Sequence, residues 1–107
     1  MEPQLLRGVA TTLVLLVLRD QPSYGYDLVQ QLSSRSNHLL TFGEGTVYPL
    51  LYSLEQQGMV TGSWKQPTGE RRRRIYRLTA AGQRELKRRL ADWHRFEEGM
   101  RFALRGA

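Results

Sequence analysis

The residues best suited to chemistry with a partner are a run of arginines in the second half of the chain. Residues 65–77 (KQPTGERRRRIYR) carry six cationic side chains and one acid, Glu70, which gives this segment a net charge of +5. The whole 107-residue chain has a net charge of +6, so the other residues are almost neutral together. A Pro-Thr-Gly turn lies inside this segment, between two stretches that alternate like strands, and predicts a cationic hairpin tip. Such a tip is suited to binding a polyanion, although an isolated arginine run can also be a solvated loop.

Four consecutive residues of the run are candidate DNA contacts: Arg71, Arg72, Arg73 and Arg74. A cationic tip can follow either the phosphates or a narrowed minor groove. Arg74 and Arg77 are nearer the strand body, and one of them could instead pair with a carboxylate such as Glu55.

A second group of binding residues follows a helical pattern from about Glu44 to Gln57. One face of this predicted helix is an apolar stripe, and the opposite face is nearly uncharged but rich in hydroxyls and amides. Such a face can contact base edges or phosphates in a major groove. The candidates are Thr46, Tyr48, Tyr52, Ser53 and Gln56. Tyr48 could equally brace the start of the helix. Because proline is unfavourable inside a helix, we expect the helix to begin within about one turn of Pro49.

Patterns for catalysis or metal binding are missing from the sequence. His38 and His94 are far apart, and neither has a second ligand at metal-binding spacing. Gly43-Glu44-Gly45 lacks the Gly-Lys-Ser/Thr that completes a phosphate-binding loop, and no serine has an evident histidine partner. We therefore expect no enzyme activity, no metal and no cofactor.

The composition is that of one globular domain, with 40% apolar and 24% charged residues. The absence of cysteine excludes disulfides and fits a reducing, cytoplasmic compartment. Residues around Glu2 lack the layout of an export signal. The longest apolar run, residues 13–18, is shorter than the roughly 20 residues that span a bilayer, so no membrane segment is expected. A pI near 10.3 indicates an anionic partner.

The order of the elements predicts the fold. Residues 4–18 form an apolar first helix, and a second helix starts with Ser23 as its N-cap. Gly58 ends the third helix, residues 60–65 and 74–78 form the hairpin, and Thr79 caps a fourth helix that reaches about Leu104. We predict a mainly α, winged helix-turn-helix fold with a small β-hairpin. Residues 1–79 would be the DNA-binding domain and 80–107 the dimerisation helix of one compact unit.

Four motifs follow one another along the chain: residues 6–8 (LRG), 22–28 (PSYGYDL), 45–58 (GTVYPLLYSLEQQG) and 72–79 (RRRIYRLT) with Gly82. Together they resemble PadR-type transcriptional regulators over roughly residues 5–95, with Ile75 standing where the family often has an aromatic. The resemblance implies a homodimeric repressor of the short subfamily, relieved by a small molecule or stress signal. It also implies that the third helix is the recognition helix. Gly25 and Tyr26 begin the second helix, where backbone N–H groups can receive a phosphate.

The fourth helix, at about 25 residues, would span roughly 37 Å and overhang its own core. Apolar residues at spacings of three and four predict a seam between subunits: Leu86, Leu90, Trp93, Met100 and Leu104. The half around Leu86 and Leu90 could instead lie back on its own domain. Two copies would set two recognition helices about one turn of double-stranded DNA apart, which predicts a palindromic operator.

The same seam is a candidate ligand site. Two-fold packing would bring Trp93 near its symmetry mate, and Leu6, Gly8, Thr11 and Thr12 of the first helix could supply the walls. The resemblance implies such a pocket, open to flat aromatic molecules. With Glu97 as a charge partner, we expect planar, neutral or cationic aromatic ligands. Alternatively, Trp93 only fills the core and Glu97 is solvated.

Two other functions fit the sequence less well. A winged-helix module can bind a protein or RNA rather than an operator. Membrane-surface binding through the basic fourth helix is weaker, because dimerisation would hide its apolar residues.

Overall fold

Four helices and three strands make up the part of the chain that the structure describes, residues 3–106 of a computed structural model. In chain order they are α1 (Pro3–Asp20), β1 (Ser23–Tyr24), α2 (Gly25–Arg35), α3 (Glu44–Gln56), β2 (Val60–Lys65), β3 (Arg73–Leu78) and α4 (Ala80–Ala103). The predicted mainly α, winged helix-turn-helix fold with its small hairpin is confirmed. The expectation about an export signal rests partly on Glu2, which lies outside the described residues.

The core forms around α1, whose sequence is apolar on several sides. Ala10, Val14 and Leu15 have no exposed surface, and side chains from every other helix pack around them. The contributing residues are Leu28 and Leu32 of α2, Val47, Leu51 and Leu54 of α3, and Leu86 of α4. Because α3 uses its apolar stripe for this packing, its polar face is left towards solvent.

The sheet contains one strand that the sequence did not predict. Ser23 and Tyr24 form β1, which pairs antiparallel with Tyr76 and Ile75 of β3, so that the strand order is β1-β3-β2. The prediction that Ser23 caps α2 is therefore wrong. α2 begins at Gly25, and its N-cap residue Tyr24 makes no side-chain capping bond. Joining the sheet commits the backbone before α2 to an extended conformation and places that helix against the hairpin.

The ends of α3 and α4 follow local sequence signals. Gly58, after the end of α3, has φ +74°, and the Thr79 hydroxyl accepts a hydrogen bond of 3.0 Å from the Gly82 N–H to cap α4. α3 begins at Glu44, so Pro49 falls in its second turn, slightly further inside the helix than expected. The N–H that Pro49 lacks would have bonded the carbonyl of Gly45.

α4 is much longer than the core it packs on. Its 24 residues span about 36 Å, and the molecule measures 59 × 27 × 21 Å. The radius of gyration, 15.4 Å, exceeds the roughly 13 Å of a compact chain of this length. Leu86 is buried, but residues 91–106 are all exposed. No helix between residues 3 and 106 is both long and apolar enough to cross a membrane.

Candidate nucleic-acid interface and ligand cavity

The outward face of α3 carries hydroxyl and amide groups. Thr46, Tyr52, Ser53 and Gln56 are exposed, and 67% of Tyr52 is open to solvent. The Ser53 hydroxyl accepts a hydrogen bond of 3.0 Å from Gln57 Nε2, which leaves its own proton free to donate. Because the apolar stripe of α3 is buried in the core, these four polar side chains lie together on the solvent side of the helix. This face can meet the donors and acceptors of a DNA groove.

Tyr48 packs against the first turn of α2 and keeps part of its surface open to solvent. Its ring covers the backbone of Gly25, since a Cβ added there would lie 2.6 Å from Tyr48 Cε1, yet 41% of the residue remains exposed. Burial, followed by the charge of Glu44, raises the pKa of the Tyr48 phenol above its usual 10.0. The hydroxyl therefore stays protonated at neutral pH and can act as a donor.

The two predicted phosphate contacts on α2 differ in accessibility. Gly25 is buried beneath Tyr48, so the expectation that it meets a phosphate is corrected: its place in the structure is helix packing. Tyr26 is 55% exposed, and its hydroxyl accepts a hydrogen bond of 3.1 Å from Gln30 Nε2. Of the two residues, Tyr26 has a side chain that is open to solvent.

The wing, defined here as residues 60–78, presents its arginines in different directions. Arg71 and Arg72 are exposed, and the Arg72 guanidinium carbon lies 4.7 Å from the centre of the Trp64 ring. Arg73 is also exposed, but it lies 5.5 Å from the centre of the Tyr24 ring and 3.4 Å from the Glu70 carboxylate. The tip thus presents guanidinium groups that aromatic rings partly hold in place.

Arg74 does not belong with the exposed arginines, and its prediction as a DNA contact is corrected. It is half-buried, pairs with Glu55 of α3, and has its guanidinium carbon 5.3 Å from the centre of the Trp64 ring. The neighbouring Tyr76 is buried, which raises the pKa of its phenol. The alternative that Arg74 braces Glu55 is the one that the structure shows.

A cavity of about 770 Å³ lies between α1 and α4. Its wall is mainly apolar and includes three of the predicted ligand residues, namely Gly8, Thr12 and Trp93. Further lining residues, which the sequence did not predict to contact a ligand, are Gln4, Leu5, Val9, Leu13, Leu16, Leu40, Arg88, Arg89, Leu90, Asp92 and Phe96. Several of them share the α1 face of Gly8 and Thr12, so helical periodicity could have found them. Leu40 could not be found in this way because it comes from the loop before α3.

Three predicted ligand residues lie outside the wall of this cavity. Leu6 packs against the core, and Thr11 is buried with its hydroxyl donating to the Arg7 carbonyl at 3.0 Å. Glu97 is turned towards Arg101, with 4.0 Å between carboxylate and guanidinium. The carboxylate in the cavity wall is that of Asp92, which accepts a hydrogen bond of 3.1 Å from Arg88.

The predicted seam residues of α4 divide into two groups. Leu86 is buried in the core of its own domain and Leu90 is half-buried against it, so Leu86 is corrected as a candidate for contact between subunits. Trp93, Met100 and Leu104 are 45%, 41% and 57% exposed. Phe96 adds to this surface, with its ring centre 5.6 Å from that of Trp93. The overhanging half of α4 therefore exposes an aromatic and aliphatic surface next to the cavity.

Among residues 3–106, no group of three or more His, Asp or Glu side chains could hold a metal ion. His38 Nδ1 lies 3.1 Å from the Ser33 hydroxyl, and His94 is exposed on α4.

Comparison with known proteins supports the winged-helix geometry. The sequence model described as the transcriptional regulator PadR-like family matches residues 14–88. The chain is 36% identical to a PadR family transcriptional regulator from Eggerthella lenta, with a TM-score of 0.75 over 97% of this chain and 88% of that one. A PadR family transcription regulator from Clostridium difficile is 27% identical, with a TM-score of 0.78 over 89% and 97% of the chains. A transcriptional regulator from Clostridium thermocellum, at 24% identity, shares the fold with a TM-score of 0.86 over 97% and 98%.

Proposed function

Because the chain belongs to the PadR-like family of transcriptional regulators, we propose that it is a homodimeric repressor. In this proposal it binds a palindromic operator in double-stranded DNA and is released by a small, planar aromatic ligand. The observation that carries the proposal is the separation of two surfaces. One is the polar and cationic surface of α3 and the wing, and the other is the aromatic surface and cavity of α1 and α4.

The first surface supports contact with DNA. Exposed Tyr52, Ser53 and Gln56 offer hydrogen-bonding groups to base edges, and Arg71 and Arg72 offer positive charge to phosphates. None of the three α3 residues is an arginine, the side chain that pairs most strongly with guanine. We therefore propose that phosphate contacts supply most of the affinity, while α3 supplies register and a moderate preference for sequence.

The second surface supports dimerisation. Trp93, Phe96, Met100 and Leu104 expose large apolar side chains on a helix that extends beyond its own core. An exposed patch of this kind on a small domain marks an association surface. A second copy related by a two-fold axis would cover the patch with the same residues, and it would present two α3 helices to two halves of one operator.

The cavity supports ligand control. Its volume of about 770 Å³ is in the range of small-molecule sites, and Trp93 and Phe96 give it flat aromatic walls. Because Trp93 also belongs to the proposed dimer surface, a ligand there would change the packing of the two subunits. Asp92, rather than Glu97, is the carboxylate that a cationic ligand would meet in this wall.

A selection of bound sequences from random duplexes tests this function. We expect an enriched motif with two inverted half-sites, about one helical turn apart between their centres. Enrichment of a single unrepeated half-site would contradict the dimeric arrangement. No enrichment, together with tight binding to RNA or to a protein, would favour the alternative of a winged-helix module with another partner.

A further inference from the structure

Glu55 joins α3 to the wing. It lies on α3 with 26% of its side chain exposed, and its Oε2 atom accepts hydrogen bonds from two groups of the wing. One donor is the Gly62 N–H of β2, at 3.3 Å, and the other is the guanidinium of Arg74 in β3. A single carboxylate thus ties both strands of the hairpin to α3.

The contacts around Arg74 continue this connection towards the tip. Gly62 leaves room for the Arg74 side chain, since a Cβ at that position would lie 2.5 Å from Arg74 Nε. The guanidinium carbon of Arg74 lies 5.3 Å from the Trp64 ring centre, and that of exposed Arg72 lies 4.7 Å from it. Glu55, Arg74, Trp64 and Arg72 therefore form a continuous series of contacts from α3 to the cationic tip.

We infer that Glu55 is a positioning residue, which fixes the wing relative to α3 so that Arg71 and Arg72 meet the same DNA duplex as the α3 face. The inference rests on the proposed function for its DNA part, but the linkage itself concerns the free protein. Glu55 touches no DNA in this scheme. It acts by limiting how far the hairpin can turn away from α3. The wing therefore loses less conformational entropy when the protein binds DNA.

The direction in which one substitution changes the affinity for DNA separates this role from simple electrostatic repulsion. A carboxylate near bound DNA repels phosphates, so removing its charge should strengthen binding to any duplex. If Glu55 positions the wing, Glu55→Gln should instead weaken binding, by at least about threefold. Glu70→Gln is the matched control, because Glu70 is an exposed carboxylate whose ion-pair partner, Arg73, lies on the wing itself. Its removal should leave binding unchanged or strengthen it.

The experiment combines titration of a random-sequence duplex with hydrogen exchange of the free, full-length variants. Glu55→Gln should speed exchange of the Gly62 amide by about tenfold, without a comparable change in the core of α1. Arg74→Lys is a second variant that keeps the charge but loses the planar guanidinium held over Trp64. It should weaken duplex binding and loosen Gly62 in the same direction as Glu55→Gln.

Each result decides the question. Weaker binding and faster Gly62 exchange in both variants would support the inference. Unchanged or tighter duplex binding by Glu55→Gln would overturn it, and so would unchanged Gly62 exchange. If the unaltered protein bound no duplex at all, the proposed function would be wrong, whereas the exchange rates would still show whether Glu55 holds the wing.

Discussion

The ring of Tyr48 lies directly on the backbone of Gly25, where any side chain would collide with it. This contact joins the first turn of α2 to the helix that carries the polar face. Tyr48 is also 41% exposed, so the residue that packs on Gly25 is itself open to solvent. The position of a candidate DNA contact, Tyr48, therefore depends on the absence of a side chain at Gly25.

The first prediction concerns this contact. Gly25→Ala should displace the Tyr48 ring and destabilise the fold by about 1–3 kcal/mol, because the new Cβ would lie 2.6 Å from Cε1. Gly45→Ala is the matched control, since nothing lies within 4 Å of a Cβ at that position in α3. It should be neutral or stabilising. Urea unfolding measures both, and equal stability of the two variants would show that the contact does not restrict Gly25.

The second prediction concerns the exposed wing. Arg72→Ala should weaken binding to specific and random duplexes alike and reduce the slope of log affinity against log salt by about one unit. Arg95→Ala, which removes an equal charge from an exposed position on α4, should leave that slope nearly unchanged. Titrations at several salt concentrations give both slopes. An unaltered slope for Arg72→Ala would place this arginine away from the phosphates.

The extent to which sequence predicted the fold depended on whether the signals were local. Caps such as Thr79 and the stop at Gly58 were read correctly because the deciding residues are neighbours in the chain. The strand β1 was missed because two residues are too few to show a period. Its existence depends on β3, which lies some 50 residues further along the chain.

The same difference between local signals and distant contacts explains which site residues could be predicted from the sequence. The polar face of α3 follows from helical periodicity, and the residues on it are exposed as expected. The direction of Arg74 depends on Glu55, 19 residues away, so the arginine run could not show which member turns inward. Leu40 enters the cavity only because the loop before α3 passes beside α1, which no local pattern records.

The third prediction concerns ligand charge. Planar dyes should quench Trp93 fluorescence saturably in a Trp64→Phe background, which leaves one tryptophan as the reporter. Asp92→Asn should weaken the cationic dyes selectively, because Asp92 lines the cavity. Glu97→Gln is the control and should have little effect. The opposite pattern would restore Glu97 as the charge partner, and no quenching below millimolar dye would mean that the cavity does not bind such ligands.

The fourth prediction concerns acid stability. Hydrogen bonding from Arg88, followed by that from Arg89, holds the pKa of the Glu85 carboxyl below its usual 4.5. A lowered pKa means that the unfolded chain binds the proton more readily, so this contribution is complete above about pH 4.5 and is lost as the pH falls through the folded-state value.

Glu85→Gln should therefore lower the free energy of unfolding near pH 7 and flatten its dependence on pH below about 4.5. Glu98→Gln, which removes an exposed carboxylate from the same helix, should keep the pH dependence of the unaltered protein. Urea unfolding at a series of pH values compares the two. Parallel curves for both variants would show that Glu85 does not gain from its arginine neighbours.

The central claim, that two copies bind one operator, is tested most directly by the mass of the protein–DNA complex. Sedimentation of the chain with the duplex recovered by selection should give two chains of 12.4 kDa per duplex, with no populated complex of one chain. Met100→Asp should break the assembly without damaging the core, because this residue is exposed on the overhang of α4. A complex of the unaltered protein that holds a single chain per duplex at every protein concentration would contradict the account.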